Sequence, residues 1–203
     1  MSRFTGPRVK VMRALGTELP GLSRKKIERR PYPPGQHGQA RKKVSEYGRR
    51  LSEKQKLRMN SGLHEGQLRR LVVQASRGAG NPGDKLIQLL ERRLDNVVFR
   101  AGFARTIPAA RQLVCHGHVK VNDRRVDIAS FRTRAGDVIT VEDSSRTNVQ
   151  LLAALQDQSH PTAPWIDLEK DKFLAKVREL PDQTSILFPI DVQLVVEFYS
   201  QNL

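Results

Sequence analysis

The stretch that decides the fold runs Asp84-Lys85-Leu86-Ile87-Gln88-Leu89-Leu90-Glu91-Arg92-Arg93-Leu94-Asp95-Asn96-Val97-Val98-Phe99-Arg100-Ala101-Gly102 and resumes at Thr106-Ile107-Pro108-Ala109-Ala110-Arg111-Gln112-Leu113-Val114-Cys115-His116-Gly117-His118-Val119-Lys120-Val121-Asn122. Ile87, Leu90, Leu94, Val97, Val98 and Ala101 recur at helical spacing, so the first part reads as one helix with Asp84 as N-cap. Gly102 stands where a left-handed residue closes a helix. Thr106 caps a second helix, Pro108 is tolerated in its first turn, and Gly117 ends it. The period then shortens to two. His118-Val119-Lys120-Val121 alternates, Asn122-Asp123 suits a two-residue turn with positive φ, and Arg124–Ile128 returns. Phe131–Arg134 is a further pairing segment, and Arg134-Ala135-Gly136-Asp137 turns into Val138–Val141. Residues 84–142 therefore predict helix, helix and a small antiparallel sheet.

Working outward, residues 44–58 and 64–76 read as helices, the second through Leu68, Leu71, Val72 and Ala75. Residues 147–157 predict a helix and 167–179 a mixed-charge helix stopped by Pro181. Trp165 and Ile166 fit a strand or a loop, and Ile190–Phe198 a terminal helix. Residues 1–43 are rich in Gly, Pro, Lys and Arg and show no sustained period. Pro31-Tyr32-Pro33-Pro34-Gly35 enforces extended or turn geometry, and such a segment is expected to order only on a partner. The fold class is α+β. The expected divisions are a basic extended arm at 1–43, a helical domain at 44–83 completed by 180–203, and a helix-helix-sheet domain at 84–179 with its core at 90–153.

Charge supplies the functional clue. The 203 residues hold 36 Lys+Arg and 21 Asp+Glu, a formal net charge of +15. Of this, residues 1–58 carry +13, residues 59–142 carry +6 and residues 143–203 carry −4. A surplus of this size repels itself unless a polyanion or anionic surface neutralises it. No run of about 18 apolar residues and no signal-peptide core is present, which predicts a soluble, unexported protein without a membrane partner. The single cysteine, Cys115, permits no internal disulfide.

Catalytic readings fail on their own chemistry. Gly78-Ala79-Gly80-Asn81-Pro82-Gly83 spells a dinucleotide fingerprint but follows a helical pattern rather than a strand. Cys115, His116 and His118 lack a fourth ligand at usable spacing for a metal. No nucleophile has a recognisable base beside it. Glu91 and Asp95 suit orienting neighbouring arginines or local capping better than chemistry. No enzyme activity, cofactor or small-molecule substrate is expected.

Two blocks then carry a resemblance. Leu90–Arg100 with Ala109–Asn122 closely resembles the small RNA-binding domain named after ribosomal protein S-four. Pro33-Pro34-Gly35-Gln36-His37-Gly38, Ser45-Glu46-Tyr47-Gly48, Glu53-Lys54-Gln55-Lys56 and Val196-Glu197-Phe198-Tyr199-Ser200 resemble the small-subunit ribosomal protein S-four family over nearly the whole chain. The start, Ser2–Arg8, is similar to cyanobacterial and plastid members. The resemblance implies a primary binder of small-subunit ribosomal RNA that nucleates assembly of the subunit body, touches neighbouring protein S-five and contributes to decoding accuracy. It implies a ribosome of the cytoplasm, or of the plastid stroma for a chloroplast source. Some members hold a zinc site near the N-terminus, but no cysteine stands there in this chain. Asn60-Ser61 departs from the aromatic that many members place before the glycine near position 62.

Lys and Arg supply phosphate affinity, and arginine also stacks on bases. In the arm and helical part the candidate contacts are Arg3, Lys10, Arg13, Lys25, Lys26, Arg29, Arg30, Tyr32, Arg41, Lys42, Lys43, Arg49, Arg50, Lys54, Lys56, Arg69 and Arg70. In the module they are Arg92, Arg93, Arg100, Arg111, Gln112, His116, His118, Lys120 and Asn122. For any one of them an ordinary solvated side chain is the competing reading. Tyr32 is compatible with stacking on a base or with covering a proline. The acidic last third is where protein contacts are expected.

Overall fold

A computed structural model describes residues 4–40, 43–78, 80–157, 160–182 and 185–201. Arg3, Arg41 and Lys42 lie outside the described residues. The chain forms two compact units, Met1–Gly83 with Ile186–Leu203, and Asp84–Ser185.

The first unit is helical: α1 Arg8–Leu15, α2 Glu46–Asn60, α3 Glu65–Ser76 and, from the far end of the chain, α8 Val192–Ser200. Ser45 caps α2 by accepting from Gly48 N at 3.2 Å, and Asp191 caps α8 by accepting from Gln193 N and Leu194 N. Leu57, Leu68, Leu71, Val72 and Ala75 of α2 and α3 and Val195, Phe198 and Tyr199 of α8 are buried in this unit. Polar bonds fix α8 against α2 and α3. Arg50 Nε lies 3.2 Å from Glu197, Asp191 N donates to Glu53 at 3.0 Å, and the Tyr199 hydroxyl donates to Glu65 at 2.6 Å. Burial and the Glu65 carboxylate together push the Tyr199 phenol well above its ordinary pKa.

The expectation that residues 1–43 lack a core is corrected. Arg8–Leu15 is helical, Gly16 ends it at φ +63°, and Met12, Leu19 and Leu22 are buried. These apolar residues are spaced by Gly and Pro, so no single period exposes them to inspection. Arg13 Nε donates to Arg30 O at 3.0 Å and to Tyr32 O at 3.1 Å, and Gly21 N donates to Asn60 Oδ1 at 2.9 Å. The basic segment is thus folded back on α1 and tied to the end of α2.

The second unit contains α4 Pro82–Glu91 at its entry, α5 Leu94–Arg100, α6 Ile107–Cys115, β1 Val119–Val121, β2 Arg124–Arg125, β3 Val138–Val141, α7 Val149–Gln156, β4 Ile166–Glu169 and β5 Leu174–Val177. The strands form one antiparallel sheet in the order β2-β1-β3-β5-β4. The β1–β2 turn has the expected geometry, with Asn122 and Asp123 at φ +48° and +62°. Thr106 caps α6 by accepting from Ala109 N, and Gly102 closes α5 at φ +86°.

Three readings change. Residues 167–179 form the β4–β5 hairpin rather than a helix. Ala175 and Val177 are buried while Lys176 is exposed, a period of two that the mixed charge obscures. β5 also satisfies the edge of β3 that β1 leaves open, through pairs such as Ile139 with Ala175. The helix read across 84–101 is two helices. Arg93 is extended at φ −68°, ψ 137°, which frees Leu94 N to donate to Phe131 O at 2.8 Å and Asp95 N to donate to Ala129 O at 3.2 Å. Finally, α4 begins before Asp84, and Asn81 Oδ1 accepts from Gly83 N at 2.9 Å. Among the described residues no helix is long and apolar enough to cross a membrane.

Candidate nucleic-acid interface

Because the helix breaks at Arg93, Asp95 falls in the first turn of α5, where the helix dipole favours an anion. It is 1% exposed and receives two arginines. Arg93 reaches it through Nε at 3.1 Å and Nη2 at 2.9 Å, and Arg111 of α6 through Nε at 3.0 Å and Nη2 at 2.7 Å. These forked bonds hold α5 to α6. Arg100 is buried between Glu91, 3.4 Å from its Nε, and Ser185 O, which accepts from its Nη2 at 2.6 Å. Burial holds the Glu91 carboxyl above its ordinary pKa even though Arg100 opposes the shift.

This geometry corrects the candidate set. Arg93 and Arg100 face inward on carboxylates and a carbonyl, so they build the module rather than its surface. Lys54 is likewise buried, 3.0 Å from Glu65 with its ammonium over the Phe198 ring. Arg50 and Lys56 are engaged with Glu197 and Glu53. Arg92 donates to Thr133 O at 2.8 Å, and Lys120 pairs with Glu142 at 2.9 Å. His118 bonds Ser145 at 2.7 Å, and the Asn122 amide bridges Asp137 and Val138 N, both at 2.9 Å. Each of these is first a structural tie. Tyr32 is half-buried with the Arg13 guanidinium 5.1 Å from its ring centre, so its ring packs against a cation of its own chain.

Other candidates do stand at the surface. Lys10, Lys25, Arg29, Arg30, Lys43, Arg49, Arg69 and Arg70 are exposed, and none of them makes an ion pair among the described residues. Lys26 is exposed beside an equally open Glu28. In the second unit Gln112 and His116 are exposed at the end of α6.

Four of the exposed arginines that sequence reasoning passed over lie in and just after the β1–β2 hairpin. Arg124 and Arg125 form the whole of β2, and Arg132 and Arg134 flank the buried Thr133. The signal for the second pair was present, since alternation about one small residue puts both arginines on one side of an extended chain. Arg125 is also seated by its surroundings. It donates to His116 O at 3.3 Å, and its guanidinium fills the space that a Cβ on Gly117 would need. Gly117 itself is at φ +71°.

Residues 3–91 match the family model described as the ribosomal protein S4/S9 N-terminal domain, and residues 92–139 match the S4 domain. The chain is 56% identical to the small ribosomal subunit protein uS4 of Methylobacillus flagellatus, with both chains covered in full. Over full lengths it is also 52% identical to the small ribosomal subunit protein uS4B of Nitrosomonas europaea and 50% identical to uS4 of Synechocystis sp.. Buried arginine–carboxylate ties beneath an exposed cationic surface are therefore found in a chain that belongs to the uS4 family of small ribosomal subunit proteins.

Proposed function

We propose that this chain is a structural constituent of the small ribosomal subunit, a primary binder of its RNA that nucleates assembly of the subunit body and contributes to translational accuracy. It works as scaffold and not as enzyme. One observation carries the reading beyond family membership: the arginines that the fold needs are neutralised internally, and a second set remains exposed on both units. A protein has little reason to keep so many cations exposed at its surface unless an anion faces them, and the phosphate backbone does so. The folded basic lobe supports the same reading, because Arg13 orders it before RNA arrives and lowers the ordering entropy of binding.

The ribosome concerned is that of the cytoplasm, or of the plastid stroma for a chloroplast source. The acidic last third, net −4 over residues 143–203, suits a protein neighbour rather than RNA, and protein S-five is the partner proposed for it. Sedimentation of a lysate tests the function. Co-migration with small subunits that resists moderate salt is expected, and quantitative recovery in the ribosome-free fraction overturns it.

A further inference from the structure

Residues 128–134 follow β2 without joining the sheet. Ile128-Ala129-Ser130-Phe131 closes a turn in which Phe131 N donates to Ile128 O at 2.9 Å. The segment is then stitched to the break between α4 and α5. Phe131 O and Ala129 O accept from Leu94 N and Asp95 N, Thr133 N donates to Arg92 O at 2.9 Å, and Arg92 Nε donates back to Thr133 O at 2.8 Å. Ala129 and Thr133 are buried beneath it. A backbone held at so many points is a fixed ledge.

That ledge nevertheless shows two large apolar side chains to solvent. Ile128 is 58% exposed and Phe131 37% exposed. Exposed apolar area adds nothing to stability, and beside polar neighbours it marks a contact surface. The neighbours here are Arg124 and Arg125 before the turn and Arg132 and Arg134 after it, all exposed, with Asp123, Asp127 and Asp137 as the nearby acids in sequence, the last accepting from Arg134 N at 2.7 Å. An aromatic ring among arginines fits a nucleotide better than a protein. The base supplies a π-face for the ring, and the adjoining phosphates are anions that exposed guanidinium groups bind.

We propose that Phe131 is a base-stacking position: an unpaired nucleotide of the small-subunit RNA lays its base on the Phe131 ring, Ile128 extends the apolar floor, and Arg132 and Arg134 take neighbouring phosphates. The proposal rests on the RNA-binding reading above and deepens it. Stacking of this kind tolerates any base, since each has a π-face.

The test uses the full chain and protein-free small-subunit RNA, with affinity measured across a salt series. Phe131→Leu keeps apolar bulk and removes the ring. It is expected to weaken binding roughly tenfold with an unchanged salt slope, because no cation is lost. Phe131→Trp is expected to bind as tightly as the parent or tighter. Ultraviolet crosslinking of the parent complex reads the same contact without substitution, through an RNA adduct on the tryptic peptide Val126–Arg132. Equal affinity of Phe131→Leu and the parent, equal losses in Phe131→Leu and Phe131→Trp, or crosslinks confined to other peptides each overturn the proposal. So does a Phe131→Leu chain that binds RNA normally but enters reconstituted subunits poorly, which assigns the ledge to a protein. A parent chain that fails to bind the RNA instead overturns the proposed function.

Discussion

Around residues 24–30, Lys25, Arg29 and Arg30 stand exposed on a lobe whose own fold is held by Met12, Leu19, Leu22 and the Arg13 bonds. Between residues 91 and 111, Arg93, Arg100 and Arg111 are drawn onto Asp95, Glu91 and Ser185 O, with Asp95 1% exposed. The residue type is the same, and what differs is the supply of acceptors. Asp95 and Glu91 lie within a few residues of the arginines in the second region. The first region offers Glu18 and Glu28, of which Glu18 is spent on Ile27 N and Glu28 on Lys26. A cation with a buried acceptor becomes part of the fold, and one without remains for a ligand.

The sharpest way to break this contrast is to remove an acceptor. Asp95→Asn leaves the buried Arg93 without its anion and deprives Arg111 of the same oxygen. Uncompensated buried charge is expected to destabilise the chain by about 3–5 kcal/mol. Trp165 is the only tryptophan, is buried and belongs to the same unit, so its fluorescence during denaturant unfolding reads the effect directly. A loss of under about 1 kcal/mol, the size of an exposed pair, would show that the arginines of this region are not held by charge.

Removing the exposed cations is the converse. Lys25, Lys26, Arg29 and Arg30 all changed to Ala should leave the unfolding transition in place and weaken binding to small-subunit RNA. Each phosphate contact contributes roughly 0.7–0.9 to the slope of log affinity against log salt, so the slope should flatten by about 2–3. The deficit stops short of four contacts because Lys26 already has Glu28 at 3.1 Å. An unchanged slope would mean that the lobe is not on phosphate.

The same contrast explains what the sequence reveals. The helix pair, the Asn122-Asp123 turn and the β1–β2 hairpin are legible because local period and turn chemistry agree there with the tertiary structure. The β4–β5 hairpin is not, because Asp167, Glu169, Asp171 and Lys172 give it the composition of a solvated helix and its pairing partner β3 is more than 25 residues away. The folded lobe escapes notice because three buried residues separated by turns leave no period. The charge distribution points to RNA, yet residue-level assignment fails wherever an acceptor is near only in space. Lys54 and Glu65 are eleven apart on different helices, and Arg100 and Ser185 are 85 apart. Arg132 and Arg134, by contrast, were readable from their alternation.

Gly117 tests whether an exposed arginine can be seated as firmly as a buried one. A Cβ at this position meets the Arg125 guanidinium, and the φ of +71° is itself unfavourable for an L residue. Gly117→Ala should therefore destabilise the unit by about 1–2 kcal/mol and displace Arg125 from His116 O. The second effect is visible as weaker RNA binding that Arg125→Ala alone reproduces without the stability loss. If the two variants bind RNA as the parent does, Arg125 belongs with the structural arginines.

The smallest effect concerns Arg100 from the other side. The His160 ring packs 4.4 Å from Phe99, and burial depresses its pKa, with Pro161 O opposing, Arg100 adding to the depression and Asp157 opposing. An unfolded histidine titrates near 6.5, so between that value and the lower folded one the unfolded chain binds more protons. Stability contributed by neutral His160 is then complete above about pH 6.5 and is lost as pH falls through the folded pKa. His160→Asn should flatten this part of the stability profile. Arg100→Met should flatten it only partly, because burial is the larger cause and remains. A full flattening by Arg100→Met would make the buried guanidinium the main reason that His160 stays neutral, extending the internal role of arginine in this unit from holding carboxylates to controlling a neighbouring base.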